Sequence, residues 1–318
     1  MTSRPVRTVT RLLYCCAAHL GADPGSLTLA QTLELPQSVV APPDAIYALP
    51  TRLDRVGRVL APVTVNGQGP FRFILDTGAN RSVLSPKLAA QLQLTPSADR
   101  PIGVHGVTGS AVLPAVEIEV LQAGELILAR NSRVPVLPEA VLADADGILG
   151  IEGLSGARID IDFAADRVTI TRSTGRRAPA GMITIPVILR HRGLLMTTAT
   201  VGRQRVRAVI DTGAERTLGN LALREALRLT PTLHEGSVVT TVMGATPALG
   251  EGASFLTPTI RIGDAELKGL EVTFADLHVF QIWNLEQEPA LLIGMDLLGS
   301  VERLVIDYRR REIQVKPR

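Results

Sequence analysis

The stretch FRFILDTGAN at residues 71–80 returns as VRAVIDTGAE at 206–215, so Asp76 and Asp211 stand 135 positions apart in matched surroundings. At that offset FRFILDTGANRSVLSPKLAAQLQLTP lies over VRAVIDTGAERTLGNLALREALRLTP without a gap. Thr77, Gly78 and Ala79 fall on Thr212, Gly213 and Ala214; Ser82 falls on Thr217, and Thr95-Pro96 on Thr230-Pro231. One D-T-G-A arises by chance in about one chain in a hundred of this length at average residue usage. Two copies with matched flanks do not. A repeat of this size demands two similar units that bury their apolar faces in the same way.

Each copy reads the same from end to end. VLAPVTVNGQGPFRFIL alternates apolar residues around the turn signal Asn66-Gly67, and TTATVGRQRVRAVI does so around Gly202, which predicts a strand pair leading into each acid. A short helix follows, capped by Ser85 in one copy and by Asn220 in the other. Next come Gly-rich hairpins, GVHGVTGSAVLP at 103–114 and VVTTVMGATPALGEG at 238–252. Apolar runs ending in glycine, DGILGIEGL (146–154) and LLIGMDLLG (291–299), precede matching closing hairpins at 159–170 and 304–315. Many short strands with one brief helix per copy predict an all-β fold of two pseudo-twofold-related barrel lobes. Residues 51–172 form the first lobe and 182–318 the second, with STGRRAPAG (173–181) as linker and 1–50 as a loose arm.

Composition narrows the function. The net charge of +2 and the 3% aromatic content leave neither a phosphate-binding stripe nor a base-stacking platform, so no nucleic-acid partner is expected. The two cysteines, Cys15 and Cys16, are adjacent, and the five histidines are scattered; no metal or other cofactor is expected. The opening MTSRPVRTVTRLLYCCAAHLGA has the outline of an export signal, with a cut after Leu29-Ala30, so an exported location is favoured over the cytoplasm.

An acid ending a buried strand loses water, and desolvation raises its pKa. Two such acids face to face cannot both ionise and share one proton, giving an acid and a base at one pH. Such a pair can activate a water and polarise a carbonyl with no metal and no covalent intermediate. Gly78 and Gly213 permit a close backbone approach and turn N–H groups toward the carboxylates. Thr77 and Thr212 carry hydroxyls able to bond across the lobe interface. The Gly-rich hairpins suit a cover that excludes water.

An apolar-apolar-D-T-G-A, a Gly-rich hairpin and an apolar-apolar-Gly run, in two passes over about residues 55–318, resemble the retropepsin-like aspartic proteases. Ala79 and Ala214 are the residues such enzymes favour after D-T-G. The resemblance implies an endopeptidase acting on extended polypeptides, with catalytic Asp76 and Asp211 supported by Thr77, Gly78, Ala79, Thr212, Gly213 and Ala214. It implies flap residues near Gly103, His105, Gly106, Gly109, Met243 and Gly244. The duplication implies a monomer with an internal pseudo-dimer. Gly150 and Gly294 are not followed by the Arg-containing triplet of viral members, which removes one familiar ion pair.

Other motifs have plainer explanations. DADG at 144–147, with Asp144 and Asp146, lacks the acid that closes a calcium loop, because Ser155 stands at its twelfth position. GVHGVTG has no lysine to hold phosphate. Asp162 and Asp307 serve the closing hairpins, and Glu152 and Asp296 are polar anchors after the glycine runs. A peptide-binding module without catalysis is the rival function on the same fold.

Overall fold

The computed structural model describes residues 57–229 and 239–318, together with the backbone of three short strands at Arg11–Tyr14, His19–Leu20 and Leu49–Pro50. The predicted signal-peptide cut after Leu29-Ala30 lies outside the described residues.

Each repeat builds its own sheet. In the first, Leu60–Val65 and Gln68–Leu75 pair antiparallel through the Asn66-Gly67 turn, where both residues take positive φ (50° and 75°). Asparagine and glycine tolerate that region best, which is why the dipeptide folds the hairpin. Gln68–Leu75 then pairs parallel with Gly147–Leu149, which also runs antiparallel to Val83–Leu84. The second repeat copies the arrangement: Gln204–Ile210 pairs antiparallel with Leu194–Val201 and parallel with Ala290–Ile293, which also pairs antiparallel with Leu218–Gly219. The predicted helices form at Pro86–Gln91 and Leu221–Ala226; Ser85 Oγ accepts from Leu88 N at 3.0 Å, and Asn220 Oδ1 accepts from Leu223 N at 2.9 Å.

The copies diverge in the hairpin behind each flap. The first uses two long strands, Ser110–Ala123 and Leu126–Pro135. In the second the equivalent hairpin is interrupted, with Leu249–Leu256 and Ile260–Ile262 on one side and Ala265–Leu267 and Glu271–Ala275 on the other. Pro258 lies in the first gap; lacking an N–H, it cannot continue a ladder.

A third sheet of six strands joins the halves, in the order Ile183–Pro186, Glu312–Lys316, Arg303–Asp307, Ala157–Asp162, Arg167–Arg172, Leu49–Pro50. Its central pair is antiparallel and comes one strand from each repeat, with Ile159 opposite Ile306. One continuous apolar core runs from Leu75 through Ile159 and Ile306 to Ile210.

Candidate active site

Both acids leave their strands at the same point. Asp76 N donates to Leu149 O and Asp211 N to Ile293 O, each at 3.0 Å, so the parallel glycine-run strand fixes where each acid emerges. The glycines ending those runs have no room for a side chain: a Cβ on Gly150 would overlap the Arg81 backbone, and one on Gly294 the Arg216 backbone. Asp76 and Asp211 are fully buried, and their carboxyls lie within hydrogen-bonding reach of each other.

Threonines clamp the two turns together. Thr77 Oγ1 donates to Ile210 O at 2.8 Å and accepts from Thr212 N at 3.1 Å. Reciprocally, Thr212 Oγ1 donates to Leu75 O at 2.6 Å and accepts from Thr77 N at 3.1 Å. Each hydroxyl thus binds the residue before the opposing acid. Four buried cross-lobe hydrogen bonds, at about 1 kcal/mol net apiece, hold the carboxylates in register. The glycines set the spacing. A Cβ on Gly78 would come 2.5 Å from Asp211 Cγ, and one on Gly213 would overlap the Asp76 carboxylate. Only glycine lets each loop close over the other lobe's acid.

The two acids are not equivalent. Asp76 Oδ1 accepts from Gly78 N at 2.8 Å, and its Oδ2 has no hydrogen-bond donor among the described residues. Asp211 Oδ1 accepts from both Gly213 N (2.9 Å) and Ala214 N (3.1 Å). Burial first, and then the Asp211 charge, hold the Asp76 carboxyl well above the usual carboxylate range, with the Gly78 N–H and the Arg58 charge opposing. With one main-chain donor on Asp76 against two on Asp211, the charged form of Asp76 receives less support from the backbone.

Supporting carboxylates brace the loops from behind. Glu152 Oε1 accepts from Ser82 N at 2.6 Å, while Ser82 Oγ accepts from Gly150 N at 3.1 Å. In the second lobe Asp296 Oδ2 accepts from Thr217 N (3.0 Å), and its Oδ1 from Thr217 Oγ1 (2.7 Å) and Leu297 N (2.9 Å). Glu152 keeps part of its surface in solvent, but its carboxylate is enclosed and Oε2 has no hydrogen-bond partner among the described residues. Burial pushes it up to about 7. Burial also raises Asp296, against the hydrogen bonds from Thr217.

The flap turns meet tip to tip. Gly106 N donates to Gly109 O at 2.7 Å to close the first turn; Thr108 Oγ1 donates to Ala248 O at 2.6 Å, and Val279 N to Val107 O at 3.2 Å. A Cβ on Gly106 would stand 3.1 Å from Ala245 N, one on Gly244 3.0 Å from Val107 N, and one on Gly109 2.8 Å from Ala248 Cβ. Ala245 packs in one apolar cluster with Ala79 and Val104, so the second flap reaches the first D-T-G-A loop. His105 does not point freely into solvent: its Nδ1 is 3.3 Å from His278 Nε2. Met243 is half-buried at the end of its flap strand, whereas Gly103 is exposed, with open space where a Cβ would stand.

Three residues near the site are not visible in the repeat. Arg58 is fully buried, its guanidinium 3.5 Å from Val141 O and its charge acting on Asp76. Tyr308 has a buried hydroxyl with no hydrogen-bond partner among the described residues; burial, then the Asp76 charge, raise its pKa. His278 is the third. The matched pairing of Phe163 with Tyr308 is the one sequence signal, since it is where a hydroxyl distinguishes the copies.

A family model of the aspartyl proteases matches residues 61–153 and, a second time, residues 197–297. The chain belongs to that family. Its two matched segments make it a retropepsin-like aspartyl protease with both lobes in one polypeptide. No curated protein matches the sequence. No group of three or more metal-ligating side chains occurs among the described residues of this aspartyl protease, and none of its described helices is long and apolar enough to cross a membrane.

Proposed function

We propose that the chain is an aspartic endopeptidase that hydrolyses peptide bonds in extended polypeptides with Asp76 and Asp211 as its catalytic pair. The observation that carries this reading is the contact of two fully buried carboxyls, one from each repeat, clamped by reciprocal threonine bonds. Asp211, with two main-chain N–H donors on one oxygen, is the base; it takes a proton from water as the oxygen attacks the scissile carbonyl carbon. Asp76 carries the shared proton and passes it to the carbonyl oxygen, giving a neutral gem-diol. Collapse breaks the C–N bond as a proton moves to the leaving nitrogen, leaving one carboxylic acid and one amine. The flaps must part to admit a chain and close again to keep out bulk water.

Asp76→Asn and Asp211→Asn should each remove cleavage of a peptide library, mapped by mass spectrometry, while leaving circular dichroism unchanged. Wild-type turnover in either variant would refute the shared-proton mechanism. The rate should be bell-shaped in pH, because the doubly protonated and doubly ionised pairs are both inactive. Stability should respond too. An acid whose folded pKa is raised stabilises the fold below its unfolded value and loses that contribution as pH rises through the folded one. Asp76→Asn should therefore gain stability over the wild type at neutral pH and not near pH 3.

A further inference from the structure

The first flap is fastened to the second repeat by a pair of histidines. His105 ends the flap strand Ser97–His105, and His278 opens the short helix His278–Ile282. His105 Nδ1 stands 3.3 Å from His278 Nε2 with the ring centres 5.5 Å apart, so the two nitrogens face each other nearly head-on. Beside them Val279 N donates to Val107 O at 3.2 Å. A main-chain bond and an imidazole pair thus hold flap and helix together.

The pair works only with one hydrogen between the facing nitrogens. Two neutral rings manage this, one donating and the other accepting, and so do one neutral ring and one imidazolium. Two imidazolium rings do not, because N–H then meets N–H and like charges stand face to face. No hydrogen bond or ion pair joins either ring to an acid among the described residues. Across the flap Ser110 lies opposite His105, and the second flap brings Ala245, Thr246 and Ala248 against Gly106 and Gly109. On the helix side Asp276 accepts from Gln281 Nε2 at 3.5 Å, and along the flap strand Arg100 is bonded to Glu117. His19, opposite His105 in the edge-strand register, is a third histidine rather than an acid. Burial first, and then the His278 charge, hold His105 below the usual histidine range.

The reciprocal contact is built differently. There Ala245 of the second flap packs with Leu137, Val141 and Leu142 about the helix Glu139–Leu142 of the first repeat, an apolar contact that no proton alters. Acid therefore acts on one flap only.

We propose that His105 and His278 form a proton-operated latch, which fastens the first flap at neutral pH and releases it in mildly acidic surroundings to admit substrate. Because the latched form resists the second proton, its stability is complete above about 6.5 and is lost as the pH falls through the lower folded value. The latch stands on the contact itself; its effect on substrate entry rests on the endopeptidase reading.

The latch is read without turnover. In the full chain carrying Asp76→Asn, NMR follows hydrogen exchange of the Val279 amide, whose bond crosses to the flap, against the amides of Val239–Met243 in the second flap. After correction for intrinsic exchange, protection at Val279 should fall about thirtyfold between pH 7.5 and pH 5, one proton being barred from the latched pair and pH 5 lying about 1.5 units below the ordinary histidine value. The second-flap amides should keep theirs. His278→Gln takes up no proton there, so its Val279 protection should stay level with pH, whether at the latched or the released value. Parent protection that ignores pH, falls equally in both flaps, or falls just as far in His278→Gln overturns the latch. In the active chain KM for an extended peptide should drop between pH 7 and pH 5, and His278→Gln should abolish that drop. If the amide is released in acid but no peptide is cut, the latch stands and the endopeptidase reading falls. If peptides are cut and the amide shows no release, the latch falls alone.

Discussion

At the scale of single residues, space and charge around the acids decide function. Gly78→Ala would drive a methyl group into the Asp211 carboxylate, and the loop has to retreat by an ångström or so. Misplacement of that size should lower kcat by about a hundredfold, measured on any peptide the parent cleaves. Glu152 gives a pH signature of its own. Its folded pKa of about 7 lies above the ordinary 4.5, so its contribution to stability is complete below pH 4.5 and fades as the pH rises through 7. The full swing is about 3 kcal/mol. Glu152→Gln should flatten that decline, so urea midpoints of variant and parent should agree near pH 4 and separate above pH 7. Identical profiles would mean that the carboxylate is hydrated in solution.

At the scale of elements, the threonine-bearing turns tie the lobes together at the acids. Thr77→Val keeps the shape but removes the hydroxyl, leaving Ile210 O and Thr212 N without their buried partner. That should cost about 2–4 kcal/mol, two groups at 1–3 each with partial relaxation. Thr77→Ser should recover most of it. Denaturant titration of the two variants tests whether the hydroxyl, rather than the side-chain volume, carries the effect. The flap hairpins divide differently between sequence and structure. Their existence is legible in the glycines at 106, 109 and 244. Their contact is not, because the bond from Val279 N to Val107 O and the approach of His278 to His105 join segments more than 170 positions apart.

At the scale of the whole molecule, the six-stranded sheet and the continuous core make the halves one folding unit. Trp283, the single tryptophan, lies buried in the second repeat. Its fluorescence should therefore follow the same urea transition as far-UV circular dichroism, which reads both repeats; two separated midpoints would show independent lobes. The repeat alone determined much of this protein: two β units, an acid at the same exit from each, the capped helices and the threonines behind each acid. Those features are set by short-range patterning, which a duplication copies intact. Tertiary structure decided everything that distinguishes the copies. Arg58 and Tyr308 gather at Asp76, and Asp211 collects the extra N–H. Tyr308 and Ala214 have counterparts in Phe163 and Ala79, so matched positions came to make different contacts, and pattern in the chain carries no record of which distant neighbour each side chain will meet.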